Sequence, residues 1–223
     1  MKILITGGSG LLGQYLNIEL SKNHSILTLY NKDIRNCANF NSAKLDITNR
    51  NILEELFNSF NPQVVIHTAA ISNPQLAASI DSKMVYKTNV KATQYIAELC
   101  SQKSARLIYT STDLVYAGYR GSMLKEDSKL NPVSLYAETK LMGEMKIKET
   151  FNDYLILRTA LMFGFGLNNS YNHFHQMNMN LKNRIPVKLF TDQFRTPVEL
   201  RNASKIITQL IQKEIKEETI NLG

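Results

Sequence analysis

The sequence has only two cysteines, Cys37 and Cys100. They are neither spaced as metal ligands nor numerous enough for a disulfide framework, so no metal site is expected and a reducing cytoplasm is the simplest setting. No apolar run approaches the roughly 18 residues needed to cross a bilayer. Met1 leads straight into a buried-strand pattern, without a charged n-region and cleavage site, which argues against a secretory precursor. No internal repeat, low-complexity tract or obvious linker divides the chain. There is no acidic surplus either: 26 Lys+Arg stand against 19 Asp+Glu, a formal +7. That balance admits anionic partners, but the basic residues are dispersed, and a solvated face that serves solubility is the plainer reading. Neither a nucleic-acid nor a membrane partner is expected.

What is present is enough apolar material for one large domain and a small appendage: 223 residues, 43% hydrophobic and 20% charged. Short apolar runs without polar alternation occur at Lys2–Thr6, Ser25–Tyr30, Val64–Thr68, Leu107–Ser111 and Tyr154–Arg158. Such runs read as strands buried on both faces. Between them lie helical patterns near Leu11–Lys22, Ile52–Asn58, Met84–Ser101 and Leu135–Glu149, with Thr48, Ser82 and Ser134 as starting residues. This alternation predicts an α/β fold, a doubly wound parallel (Rossmann) sheet over residues 1–159, whose ligands bind at the carboxyl ends of strands. Residues 160–223 are expected to form a small, interleaved substrate-binding portion, with a loop at Phe163–Asn172, a helix near Asn172–Leu181, a strand at Val187–Thr191 and a helix from about Asn202 to Lys213. The final Ile220–Gly223 reads as a strand running into a turn, as though this portion stopped short of its full length.

The first strand runs into Gly7-Gly8-Ser9-Gly10-Leu11-Leu12-Gly13 and then a helix. Glycines there allow a tight turn and close approach of a pyrophosphate, and the helix N-terminus supplies N–H donors. The spacing can be read from Gly7 or from Gly8, and the Thr-Gly-x-x-Gly-x-x-Gly form favours Gly7, Gly10 and Gly13. An acid at the end of the second strand would hold ribose hydroxyls, but Tyr30-Asn31-Lys32 stands there. With Lys32 and Arg35 to attract a 2′-phosphate, NADP(H) is preferred; Asp33 close by leaves NAD(H) open. Asp46-Ile47 follows a third strand, where Asp46 either accepts from an adenine amine or caps the next helix, alone or with Thr48.

Thr112 and Asp113 end another strand, and Tyr136 and Lys140 share one helix face. A nearby ammonium stabilises a phenolate, so Lys140 is expected to lower the Tyr136 pKa from about 10, and Thr112 can hydrogen-bond a reacting carbonyl oxygen. His67 reads as a packed strand residue, and Asn89 as a helix residue bracing the cofactor strand.

Taken with Pro62–Ala70, Thr88-Asn89-Val90, Leu157-Arg158-Thr159 and Asp192-Gln193-Phe194-Arg195-Thr196-Pro197, these motifs resemble the extended short-chain dehydrogenase/reductase family over essentially the whole chain, and within it the dTDP-4-dehydrorhamnose reductase group. The resemblance implies an NADPH-dependent oxidoreductase that reduces the 4-keto group of a nucleotide-linked deoxysugar. Thr112, Tyr136 and Lys140 would be catalytic. Gly7, Gly10, Leu11, Leu12, Gly13, Asn31, Lys32, Arg35, Asp46, Ile47, Ala69, Ala70, Ile71 and Ser72 would bind the dinucleotide with Tyr136 and Lys140. Thr112, Asp113, Leu161 and Gln193 would contact the sugar. The pattern departs at Leu114 and Leu161, where aromatics are common, at Arg195, where glycine is usual, and at Val198, where threonine is usual. The alternatives are a cofactor-binding regulatory subunit, as in the methionine adenosyltransferase beta subunit, and an epimerase. A dehydratase needs a second carboxylate after Asp113, and Leu114 stands there. The expected partner is a nucleotide sugar, with a homodimer left open, in the cytoplasm.

Overall fold

Aliphatic runs too apolar for any surface form the centre of the molecule. The computed structural model describes the chain except for residues 117, 119, 120, 122, 169 and 193. In chain order its elements are β1 (Lys2–Thr6), α1 (Leu11–Leu20), β2 (Ser25–Tyr30), β3 (Ser42–Lys44), α2 (Arg50–Phe60), β4 (Val64–His67), α3 (Pro74–Ser79), α4 (Ser82–Tyr86), α5 (Ala92–Lys103), β5 (Arg106–Thr112), α6 (Leu135–Thr150), β6 (Tyr154–Thr159), β7 (Met162–Phe163), α7 (His173–Lys182), β8 (Val198–Glu199), α8 (Leu200–Leu210) and β9 (Glu218–Leu222). Seven strands pair in parallel in the order β3-β2-β1-β4-β5-β6-β9. Parallel neighbours need crossovers, and the helices that supply them cover both faces. On one face Leu53 and Phe57 of α2, Ile96 and Leu99 of α5 and Ile147 of α6 close over Leu4, Val65, Leu107 and Ile156. On the other, Leu12, Leu16 and Leu20 of α1 and Leu200, Ala203 and Ile207 of α8 close over Ile3, Ile5, Ile66 and Ile108.

The crossing of β1 towards β2 on one side and β4 on the other puts the ends of β1 and β4 beside a crevice, the place where such sheets bind ligands. After β6 the chain leaves the sheet, makes β7, α7 and β8, and returns to it through α8 and β9. Among the described residues no helix is long and apolar enough to cross a membrane.

Several local expectations differ from the structure. Val187–Thr191 is not a strand: the segment is irregular and open to solvent, with Phe190 75% exposed, while the two-residue strands β7 and β8 pair with each other instead. The single helix expected over Met84–Ser101 is broken into α4, a π-helical turn at Lys87–Lys91 and α5. α3 was not anticipated, although Asn73-Pro74 carries its start signal: the Asn73 side chain accepts from Gln75 and Leu76 N–H, and proline opens the helix. Asn49 and Asp81 cap α2 and α4, in place of Thr48 and Ser82, whereas Ser134 caps α6. Asp46 is correspondingly not the α2 cap; its side chain accepts from Thr48 N–H in the turn before it.

Candidate active site

A cleft of about 1220 Å³ lies over the carboxyl ends of β1, β2, β4, β5 and β6. That exceeds the roughly 300–1,000 Å³ of an ordinary small-ligand pocket and suits a ligand in two parts. One end is the turn between β1 and α1. Gly7 has φ +70°, and a Cβ there would lie 2.7 Å from Ala69 N. A Cβ on Gly13 would lie 2.2 Å from the Gly7 carbonyl oxygen, so only glycine lets α1 approach the turn. Gly10 is the N-cap of α1, with no side chain hydrogen-bonding the first turn. The free N–H groups and the positive end of the helix dipole therefore open towards the cleft, a ready anion site. Behind the turn, Asn17 Nδ2 donates to Gly8 O, and Gln14 Nε2 and Arg35 donate to Ser9 O, which draws these carbonyls away from the cleft. Arg35 also donates to Ser170 Oγ at 2.8 Å.

The middle is walled by Ala69, Ala70, Ile71 and Ser72 after β4, with Asn31, Lys32, Asp46 and Ile47 beyond. This wall is held by a buried polar chain. Thr93 Oγ1 donates to Asn89 O at 2.8 Å, so it accepts from His67 Nε2 at 2.9 Å. His67 Nδ1 then accepts from Thr6 Oγ1 at 2.7 Å, and Thr6 Oγ1 accepts from Ala69 N–H. Burial, assisted by the nearby Lys140 charge, lowers the His67 pKa to about 3, so it is a neutral brace. Asn89 sits in the π turn. Its Oδ1 accepts from Ile71 N–H at 2.8 Å, and its Nδ2 donates to Ile71 O and to Thr139 Oγ1 on α6. The brace thus reaches the loop after β4 rather than the strand.

At the far end stand Thr112, Asp113, Tyr136, Lys140 and Leu161. Ser134 starts α6, and the helix carries Tyr136 and Lys140 to the strand end that carries Thr112. Tyr136 is pushed up to about 12, chiefly by burial and secondarily by Asp113, against a hydrogen bond with Thr112. Lys140, only 2% exposed, is lowered to about 7 by burial, with Glu144 opposing, and its Nζ lies 4.0 Å from the centre of the Tyr109 ring. The expected lowering of the Tyr136 pKa by Lys140 is therefore not what the structure shows: desolvation outweighs the hydrogen bond with Thr112, and the pKa rises. The result is a neutral phenol, which can give up a proton. Asp113 is paired with Arg195, whose Nη2 donates to both carboxylate oxygens at 2.9 and 2.8 Å. Sequence reasoning gave Arg195 no such partner, because 82 residues separate the two.

Every residue expected to bind cofactor, substrate or proton lines this one cleft, save Gln193, which lies outside the described residues. Ser9, Met84, Lys87, Thr88 and Arg195 line it too; Ser9, Thr88 and Arg195 belong to motifs named above but carry no assigned role there. The glycines around the α1 N-terminus could have pointed to Ser9, but nothing local in the sequence marks Met84 or Lys87. Residues 1–222 match the RmlD substrate binding domain family. The chain belongs to that family. It is 30% identical to a dTDP-4-dehydrorhamnose reductase of Aggregatibacter actinomycetemcomitans, covering 100% of this chain and 71% of that one. It is 28% identical to methionine adenosyltransferase 2 subunit beta of Xenopus laevis, covering 98% of this chain and 64% of that one. The crystal structure of a Bacillus anthracis dTDP-4-dehydrorhamnose reductase in complex with NADP superposes with a TM-score of 0.85 at 26% identity, over 100% of this chain and 74% of that one. This RmlD-family chain is thus shorter than all three.

Proposed function

We propose that the protein is an NADPH-dependent ketoreductase that reduces the 4-keto group of a nucleotide-linked deoxysugar, in the manner of a dTDP-4-dehydrorhamnose reductase. The observation that carries this reading is the meeting of Thr112, neutral Tyr136 and Lys140 at one end of a cleft whose other end is an uncapped helix N-terminus. The residues fit a dinucleotide. The α1 N-terminus and the Gly7–Gly13 turn would hold the pyrophosphate, and the 69–72 loop would flank the nucleotide. Lys32 and Arg35, with no acid within Tyr30-Asn31-Lys32 at the end of β2, favour NADP(H) over NAD(H), and Asp33, 3.9 Å from Arg35, leaves NAD(H) open. When bound, that cofactor supplies the hydride.

The chain's own groups supply the rest. Thr112 hydrogen-bonds the keto oxygen and fixes its direction. Tyr136 keeps its proton at neutral pH and delivers it to the oxygen as negative charge develops there. Lys140 provides positive charge beside the phenol as the proton leaves. Asp113, with Arg195 paired to it, faces the sugar. A cytoplasmic enzyme suits both substrates and the free, buried thiols of Cys37 and Cys100.

The test is NADPH oxidation on addition of dTDP-4-keto-6-deoxy-L-mannose. Turnover is expected, with a loss of about 100-fold or more in Tyr136→Phe, the usual weight of a general acid. Tight NADPH binding without turnover on any 4-keto nucleotide sugar would overturn the enzyme reading. The likeness to the methionine adenosyltransferase subunit would then favour a cofactor-binding regulatory role.

A further inference from the structure

One turn beyond Lys140 on α6 lies a second carboxylate that the reaction above does not use. Glu144 is 1% exposed and Arg158, on β6, 2% exposed. Arg158 Nε donates to Glu144 Oε1 at 3.1 Å and Nη2 to Oε2 at 2.8 Å. Ser111 Oγ, adjacent in sequence to Thr112, donates to the same Oε1 at 2.5 Å. Arg158 Nη1 reaches on to Tyr116 Oη at 2.6 Å and to Glu126 O at 2.8 Å. Tyr116 Oη in turn donates to Asn221 on β9. One carboxylate therefore ties the helix bearing Tyr136 and Lys140 to the strand end bearing Thr112, and its arginine ties both to β9.

A buried ion pair is seldom retained for stability alone, since an apolar pair of similar volume often does as well. Here the two charges are not equivalent to their neighbour. Lys140 and Arg158 are both buried cations, and Glu144 lies on the same helix face as Lys140 and directly against Arg158. Arginine does not give up its proton in a protein, whereas a buried lysine does. If the carboxylate were lost, the strain between two buried cations would fall on Lys140.

We propose that Glu144 is a positioning residue that keeps Lys140 cationic in the cleft, with Arg158 and Ser111 setting how much of its charge Lys140 feels. The proposal takes from the preceding reading only that Lys140 serves the reaction as a cation. The other ionisable groups around the ammonium are held neutral or engaged elsewhere. His67 on β4 and Tyr109 on β5 are kept uncharged by burial, Tyr136 on α6 is a neutral phenol, and Asp113 after β5 is taken by Arg195. Lys87 of the π turn, which lines the same cleft, adds a further positive charge.

The experiment reads Lys140 directly, by the pH titration of its 13Cε resonance in lysine-labelled protein, assigned by its absence in Lys140→Met. In the wild type the midpoint is expected near 7. In Glu144→Gln it should fall by about one pH unit or more. In Arg158→Gln it should rise, because the carboxylate is no longer shared. A merely structural pair would lower the melting temperature in both variants and move neither midpoint. Unmoved midpoints, or shifts in the same direction, overturn the proposal. If one variant fails to fold, the direction in the other decides. No turnover enters this measurement, so a failure of the ketoreductase reading shows separately, in the NADPH assay.

Discussion

The stability of the protein should fall steeply in acid because of one buried ring. His67 donates to Thr93 and accepts from Thr6, with no exposed surface, so protonation must break the bond from Thr6 and place a charge in the sheet. Burial takes its pKa from 6.5 to about 3. The unfolded chain therefore binds a proton at pH 6.5 that the folded protein refuses until about pH 3, and in that window stability falls as pH falls. One proton of difference gives a slope of about 1.4 kcal/mol per pH unit, or about 5 kcal/mol across the window. That is comparable with the whole stability of a typical domain, about 5–15 kcal/mol. The assay is urea unfolding between pH 7 and pH 4, comparing the wild type with His67→Gln, whose amide keeps a donor for Thr93 and has no proton to gain. The variant should start less stable and lose stability more slowly, its slope shallower by about 1.4 kcal/mol per unit. Parallel slopes would refute the reasoning.

Gly13→Ala would push a methyl into the Gly7 carbonyl oxygen, 2.2 Å from the Cβ position. Overpacking of this kind costs about 1–3 kcal/mol; denaturant unfolding should show that loss, and a dinucleotide titration should show weakened binding as α1 moves off the turn. Lys32→Ala should weaken NADPH by about tenfold or more while leaving NADH nearly unchanged, since a charge-assisted hydrogen bond contributes roughly 1.5–3 kcal/mol; Arg35 is left in place because it also donates to Ser9 O behind the phosphate turn. Equal losses for both dinucleotides, read by fluorescence titration, would remove the 2′-phosphate argument.

The sheet was legible because its signals are local and redundant. A run such as Leu155–Leu157 has no reading other than a buried strand, and the turn at Gly7–Gly13 joins a strand to a helix with no room for side chains. What was not legible depends on partners far along the chain. Val187–Thr191 has the composition of a strand but is irregular and open to solvent, whereas Met162 finds Val198 across 36 positions and pairs over only two residues. The π turn at Lys87–Lys91 is invisible to a 3.6-residue periodicity, since it is one extra residue absorbed within an otherwise helical stretch. It brings the Asn89 side chain to the backbone of Ile71.

The proposed catalytic pair shows the same limit in its chemistry. The spacing of Tyr136 and Lys140 fixes that they share a helix face, and on spacing alone the lysine should make the tyrosine more acidic. Three-dimensional burial reverses the balance: both groups are drawn towards their neutral forms, the phenol to about 12 and the ammonium to about 7. For an enzyme that must give a proton to an alkoxide, this is the useful direction. A phenol already ionised in the resting cleft would have nothing to give, whereas a neutral phenol beside a cation only just retained can release its proton when negative charge appears on the substrate oxygen. The depth of the cleft, as well as the identity of the two residues, then sets the protonation state in which the pair waits for substrate.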